Sequence, residues 1–166
     1  MDKSALFTFS SGLYVVSASD GERQSGCVVN TGLQLTSEPL QVMVAVNKGN
    51  FTEQVIESAG HFALTPLTQE ADMVHIGRFG FRTGADFDKY PEPVRRTSLG
   101  DPYEEKCAAA VLTCSVRQTL DVGTHVVFVG EVVDAEVLSK AEPLTYAYYH
   151  SVLKGKTPPK ASSFVG

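Results

Sequence analysis

The stretch over residues 25–52, SGCVVNTGLQLTSEPLQVMVAVNKGNFT, limits the fold more than any other part of the chain. Its apolar and β-branched residues read as two buried strands joined by a polar turn, ending in a short loop that opens a helix. The apolar residues suit a barrel wall. Asn30, Thr31, Gln34, Thr36, Ser37, Asn47, Lys48 and Thr52 place amides, hydroxyls and one cation on the turns between the walls. Such a seam has the chemistry to hold a flat, polar-edged ligand that carries a phosphate.

Other segments repeat the strand signal. Residues 13–18 (LYVVSA) are rich in β-formers, and Asp20-Gly21 after them is a strong hairpin signal with a return strand over 23–30. Residues 40–47 suit a strand buried on both faces. Asn50 with Glu53 three residues on predicts a capped helix, FTEQVIESA, closed by Gly60. A strand over 61–67 and a second short helix over 69–76, ending before Gly77, follow. Regularity fails between Arg78 and Lys106, a loop length that in a compact domain usually serves a purpose. It resumes with β runs over 108–116 and 124–137, which pair across Asp121-Val122-Gly123. The prolines of Lys154-Gly155-Lys156-Thr157-Pro158-Pro159 exclude regular structure and predict an extended arm.

Strands dominate, and helices are few and short. This pattern predicts a mainly β fold, an antiparallel split β-barrel with a few short helices, rather than a βαβ dinucleotide domain. Neither GxGxxG nor GxxxxGK[ST] occurs, so a nucleotide cofactor would not bind in the Rossmann or P-loop manner. At 166 residues the chain is most simply one domain. A net charge of -5 with no basic stripe argues against nucleic acid as a partner. No apolar run is long enough to cross a bilayer, and the start, Met1-Asp2-Lys3, does not look like a leader, so a cytoplasmic location without a membrane partner is expected. Three cysteines, Cys27, Cys107 and Cys114, form no CxxC pair; buried free thiols are expected, and no metal site.

The order of four segments resembles the flavin reductase-like FMN-binding split-barrel family. Asn30-Thr31, Thr36-Ser37-Glu38-Pro39 and Asn47-Lys48 with Thr52 form the first. Arg78-Phe79-Gly80-Phe81, Thr83-Gly84 and Asp88-Lys89-Tyr90 resemble the family's "FG…G…DKF" loop, and residues 124–132 (THVVFVGEV) resemble its "GDH…F.GEV" strand. GKTPPKA is similar to the exit from the flavin domain of high-molecular-weight rubredoxins, where a rubredoxin domain follows. The resemblance covers nearly the whole chain, with residues 1–153 as the FMN-binding domain and 154–166 as the arm. Two departures stand out. Thr124 replaces the family's Asp before the histidine, and no cysteine quartet follows Gly166, so a chain complete at that point would need a separate electron acceptor.

The resemblance implies FMN as cofactor and NADH or NADPH as transient hydride donor. For the phosphate, Thr36, Ser37, Lys48 and Thr52 are the candidates, with Asn47 and the free amides of a helix starting near Asn50. Taken alone, the Asn47–Asn50 segment reads as a solvent-exposed turn with a capping Asn, and it is the resemblance that makes it a phosphate site. Val28, Val29, Asn30 and Thr31 would meet the ring edge, with Gln34 nearby. Hydride transfer needs close stacking and exclusion of water rather than a protein acid or base. His125 is the candidate for touching nicotinamide or flavin, the one catalytic assignment. Arg78, Phe79 and Lys89 would border the substrate groove. Tyr148, Tyr149 and His150 could border it too, or simply seal a barrel end. The family further implies a homodimer.

The leading expectation is an FMN-binding oxidoreductase that accepts hydride from NAD(P)H and passes electrons to a free flavin, rubredoxin or other redox acceptor. The alternative is a non-enzymatic FMN electron carrier reduced by a partner protein. A barrel that has lost its ligand is the third class, and the set Asn30, Thr31, Lys48 and Thr52 speaks against it.

Overall fold

The first turn shows how local chemistry sets the sheet. In the computed structural model, which describes residues 1–164, Gly21 takes a left-handed φ of 93° that a side chain would resist. The Asp20 carboxylate accepts the N–H groups of Glu22 and Arg23 at 3.1 and 2.8 Å and the Arg23 guanidinium at 2.6 and 2.9 Å. This turn lays β1 (Tyr14–Ser19) against β2 (Gln24–Val29), from Tyr14 opposite Val29 to Ser19 opposite Gln24.

Five more strands complete one antiparallel sheet: β3 (Leu33–Ser37), β4 (Leu40–Asn47), β5 (His61–Pro66), β8 (Ala110–Asp121) and β9 (His125–Val137). Their order is β2-β1-β5-β8-β9-β4-β3. β6 (Arg95–Arg96) and β7 (Pro102–Tyr103) form a separate short pair. The sheet curls until β2 comes back towards β4, but no backbone ladder joins those two. Thr31 bridges the gap instead. Its hydroxyl donates to the Ala45 carbonyl at 2.9 Å and accepts the Ala45 N–H at 3.0 Å. The fold is thus the expected mainly β split barrel.

Inside lie Val16, Val44, Val46, Phe62, Cys114 and Phe128, with Val55 and Ile56 of α1 (Phe51–Ala59) packed on them. Burying each such side chain contributes about 1.5–3 kcal/mol. α1 has the bounds its sequence predicts. The Asn50 side chain accepts the Thr52 N–H, and Gly60 closes the helix at φ 72° with its N–H on the Ile56 carbonyl. The second helix differs from expectation. α2 spans Met73–Gly80, starting where the Asp72 carboxylate accepts the His75 N–H at 2.8 Å. It continues through Gly77 because Ile76 and Phe79, one turn apart, both enter the core. That burial outweighs the cost of about 1 kcal/mol for an interior glycine. β8 also runs five residues beyond the predicted Val116, as its hairpin with β9 extends to the Asp121–Gly123 turn.

The irregular segment after α2 packs inward. Tyr90 is buried with its ring 5.2 Å from that of Phe79. Asp101, fully buried, accepts the Ser19 N–H at 3.0 Å and pairs with His61 Nδ1 at 2.9 Å, tying this segment to β1 and β5. All three cysteines are free and buried. Among the described residues, no helix is long and apolar enough to cross a membrane.

Candidate functional site

The gap between β2 and β4 opens into a cavity of about 600 Å³, counting its mouth. Cys27, Val28, Val29 and Asn30 form one wall, and Ala45, Val46 and Asn47 the facing one. His125 enters because it stands opposite Asn47 in the β4–β9 ladder. Leu13, Ile76, Gly80 and Phe81 close one side, and Tyr146 and Tyr149 of α3 (Tyr146–Ser151) another. An apolar hollow with a few converging amides and one imidazole is the usual build of a small-molecule site.

The loop before α1 is fixed by its own chemistry. The Lys48 N–H donates to the Thr124 carbonyl at 3.0 Å, and Asn47 Oδ1 accepts the Gly49 N–H at 2.9 Å. Thr124 Oγ1 lies 2.9 Å from His125 Nδ1, so a hydroxyl orients the imidazole where the family pattern has a carboxylate. Burial pushes the Cys27 thiol up to about 11, so it stays protonated at neutral pH and offers no thiolate to the cavity.

Of the sequence-predicted residues, Val28, Val29, Asn30, Asn47, Asn50 and His125 meet at this cavity. Thr31 stands beside it, its side chain engaged by Ala45. Thr52 is buried behind the wall, 2.8 Å from the Ser25 hydroxyl. Lys48 is half-exposed, its ammonium paired with Asp121 at 2.5 Å. Gln34, Thr36 and Ser37 lie along exposed β3; Gln34 donates to the Thr36 carbonyl and the Thr36 hydroxyl to the Pro39 carbonyl. None of these five side chains, from Thr52 to Ser37, is part of the cavity lining.

The three groove candidates also lie outside it. Arg78 pairs with Glu104 at 2.5 Å. Phe79 is buried beneath the helix, and Lys89, 2% exposed, donates to the carbonyls of Gly26 and Phe79 at 2.7 and 3.2 Å. Burial lowers the Lys89 pKa.

The tail is the part of the site that the sequence concealed. It has no strand or helix, yet Pro158, Lys160, Ala161, Ser162 and Ser163 line the cavity. Two of its hydrogen bonds reach the rim: Lys160 Nζ to the Gly49 carbonyl at 2.7 Å and Ser162 Oγ to Asn30 Oδ1 at 3.0 Å. The turn that returns it uses Gly155, where a Cβ would stand 2.0 Å from the Tyr149 ring. A glycine followed by a Pro-Pro pair was the available signal. Residues 165–166 of the expected arm lie outside the described residues. No cluster of three or more His, Cys, Asp or Glu side chains is arranged to hold a metal ion among the described residues.

A ferric-chelate reductase (NAD(P)H) from Archaeoglobus fulgidus is 44% identical over 165 residues, covering 99% of this chain and 98% of the relative. A high molecular weight rubredoxin from Moorella thermoacetica is 42% identical over 165 residues, covering 99% of this chain and 72% of the relative. The solved structure of the styrene monooxygenase flavin reductase from Pseudomonas putida S12 superposes with a TM-score of 0.71 at 26% identity, over 87% of this chain and 91% of that one. The model of the flavin reductase like domain matches residues 6–155. The chain therefore belongs to the flavin reductase-like family.

Proposed function

We propose that this chain is an NAD(P)H-dependent oxidoreductase that holds FMN in the cavity between β2 and β4 and delivers electrons to a redox acceptor, a flavin, a rubredoxin or a metal chelate. The observation that carries the reading is the cavity itself, an apolar slot edged by Asn30, Asn47, Asn50 and His125 in a member of this family. When bound, FMN supplies hydride acceptance and release of electrons singly or in pairs. The chain's residues supply position and dryness. Cys27, Val28, Val29 and Ala45 give the ring apolar walls, and the amide of Asn30 and the backbone at Thr31 meet its polar edge. Asn47 and Asn50, with the first amides of α1, form the phosphate end. His125, oriented by Thr124, is the contact that holds nicotinamide against the ring.

A homodimer is part of the proposal. On the outer face of the sheet, Leu33, Met43 and Val129 fall in one row, and Ala45, Val127 and Leu120 in the next. Leu33 and Leu120 are 58% and 61% exposed, which suits a face covered by a second copy. We take residues 1–153 as the flavin-binding domain, residues 154–166 as an arm laid on it, and the cytoplasm as its location. Desalting the purified protein and recording its absorbance tests the cofactor, and anaerobic titration with NADH and NADPH tests the activity. Retained flavin bands that bleach with either nucleotide are expected. A colourless protein that ignores added FMN refutes the reading, and bound flavin that neither nucleotide bleaches makes the protein a carrier rather than an enzyme.

A further inference from the structure

The charge at the cavity comes from an unexpected part of the chain. Among the described residues that line it there is no carboxylate, and Lys160 is the one lysine or arginine. Its Nζ donates to the Gly49 carbonyl at 2.7 Å, at the loop that opens α1, leaving further N–H donors on the ammonium. It shares that end of the cavity with Asn47 and Asn50. Helix α1 is nine residues long, and its N-terminus adds partial positive charge there. Lys48, the cation nearer in sequence, faces Asp121 instead.

The segment carrying Lys160 is held at both ends. The Tyr146 hydroxyl takes Thr157 Oγ1 at 2.5 Å on one side of the lysine and Ser163 Oγ at 2.7 Å on the other. Between them Ala161 N–H closes a turn on the Pro158 carbonyl at 2.9 Å, and Ser162 docks on Asn30. These contacts fix where the lysine stem leaves the backbone. The ammonium is thereby aimed at the α1 end of the cavity before any ligand arrives.

We infer that Lys160 is the phosphate-binding cation of this site, and that residues 157–163 form the clamp that brings it to the ligand. The inference rests on the flavin reading above and names the residue that reads the phosphate. It separates FMN from riboflavin, which shares the ring and ribityl chain but lacks the dianion. A charge-assisted hydrogen bond to phosphate, lost without replacement, costs at least about tenfold in affinity.

The test is fluorescence titration of the deflavinated full chain with FMN and with riboflavin, for wild type, Lys160→Ala, Lys160→Arg and Lys48→Ala. Wild type is expected to prefer FMN. Lys160→Ala should weaken FMN at least about tenfold and leave riboflavin unchanged, which shows that the clamp still docks. Lys160→Arg should keep most of the preference. Equal losses for both flavins make Lys160 a mere anchor and overturn the inference. So does an unchanged preference in Lys160→Ala, whether Lys48→Ala abolishes it or the KM for the nicotinamide nucleotide rises instead. If wild type binds riboflavin and FMN equally, no cation reads the phosphate. If it binds neither, the flavin reading itself fails.

Discussion

Closing the barrel without a ladder puts unusual weight on one hydroxyl, and Thr31→Val tests it. Valine keeps the shape of threonine but can neither donate to the Ala45 carbonyl nor accept the Ala45 N–H, bonds of 2.9 and 3.0 Å in the native fold. Two such bonds contribute about 1 kcal/mol each, and stranding their half-buried partners adds a further penalty, for a total of about 2–3 kcal/mol. For a domain of this size, 1 kcal/mol shifts the melting temperature by about 2–4 °C, so the variant should melt roughly 4–12 °C lower. Thr31→Ser, which keeps the hydroxyl, should recover most of the loss. Thermal unfolding gives the magnitude, and hydrogen exchange at the Ala45 amide gives the location. Exchange at that amide should accelerate while β5 and β8 keep their protection. If Thr31→Val melts within about 1 °C of wild type, with the Ala45 amide still protected, the seam is closed by something other than this hydroxyl.

Three further outcomes are expected. His125→Ala should retain FMN but slow its reduction by nicotinamide about 10- to 100-fold in anaerobic stopped-flow, since loss of positioning alone has costs of that order; an unaltered rate removes the assignment. Asp20→Asn probes acid stability. The Arg23 N–H, first among its hydrogen bonds, holds the Asp20 carboxyl at about 2, below its ordinary 3.8. Its folded-state value lies under its unfolded one, so its stabilising effect is complete above about pH 4 and is lost as pH falls towards about 2. Urea midpoints of the variant should therefore fall less steeply than wild type across that window; parallel curves contradict the reasoning. Gly130→Ala would put a Cβ 2.7 Å from the Phe62 ring and 2.8 Å from Cys114 Cβ. Overpacking of this kind costs about 1–3 kcal/mol, and an unchanged melting temperature would mean that the core there yields freely.

Much of the fold is written in local chemistry. Helix α1 could be bounded from Asn50 and Gly60 because both act within a few residues of themselves. The β1–β2 hairpin follows from Asp20-Gly21 in the same way. The site divides along a different line. Val28 and Val29 end β2, Asn47 ends β4, and Asn30 and Asn50 follow within three residues, so finding the strands finds the walls. The tail's part depends on contacts between residues far apart, such as Ser162 with Asn30 at a separation of 132 positions, which no window along the chain can sense. Residue type misleads as well. Lys89 looks like a surface cation, yet its stem is buried and two main-chain carbonyls receive its ammonium. Leu33 and Leu35 alternate with polar neighbours as a half-buried strand does, but β3 ends the sheet and all five of its residues are exposed.

That exposed strand leaves the two margins of the sheet with different fates. At the β2 margin, the Lys89 ammonium occupies the Gly26 carbonyl, so that acceptor is not offered to a stranger. The β3 margin is uncovered, the circumstance in which folded proteins recruit each other's strands. Two features spoil it as a template. Its pairing with β4 shifts register between Gln34 and Thr36, which breaks the even spacing of N–H and C=O groups. Pro39, just past its end, has no N–H to give. A neighbour approaching from this side meets the side chains of Leu33, Leu35 and Leu40 rather than a continuous row of backbone groups. Contacts at this margin are therefore selected by side-chain shape, while the indiscriminate strand addition that builds fibrils finds no straight rail to follow.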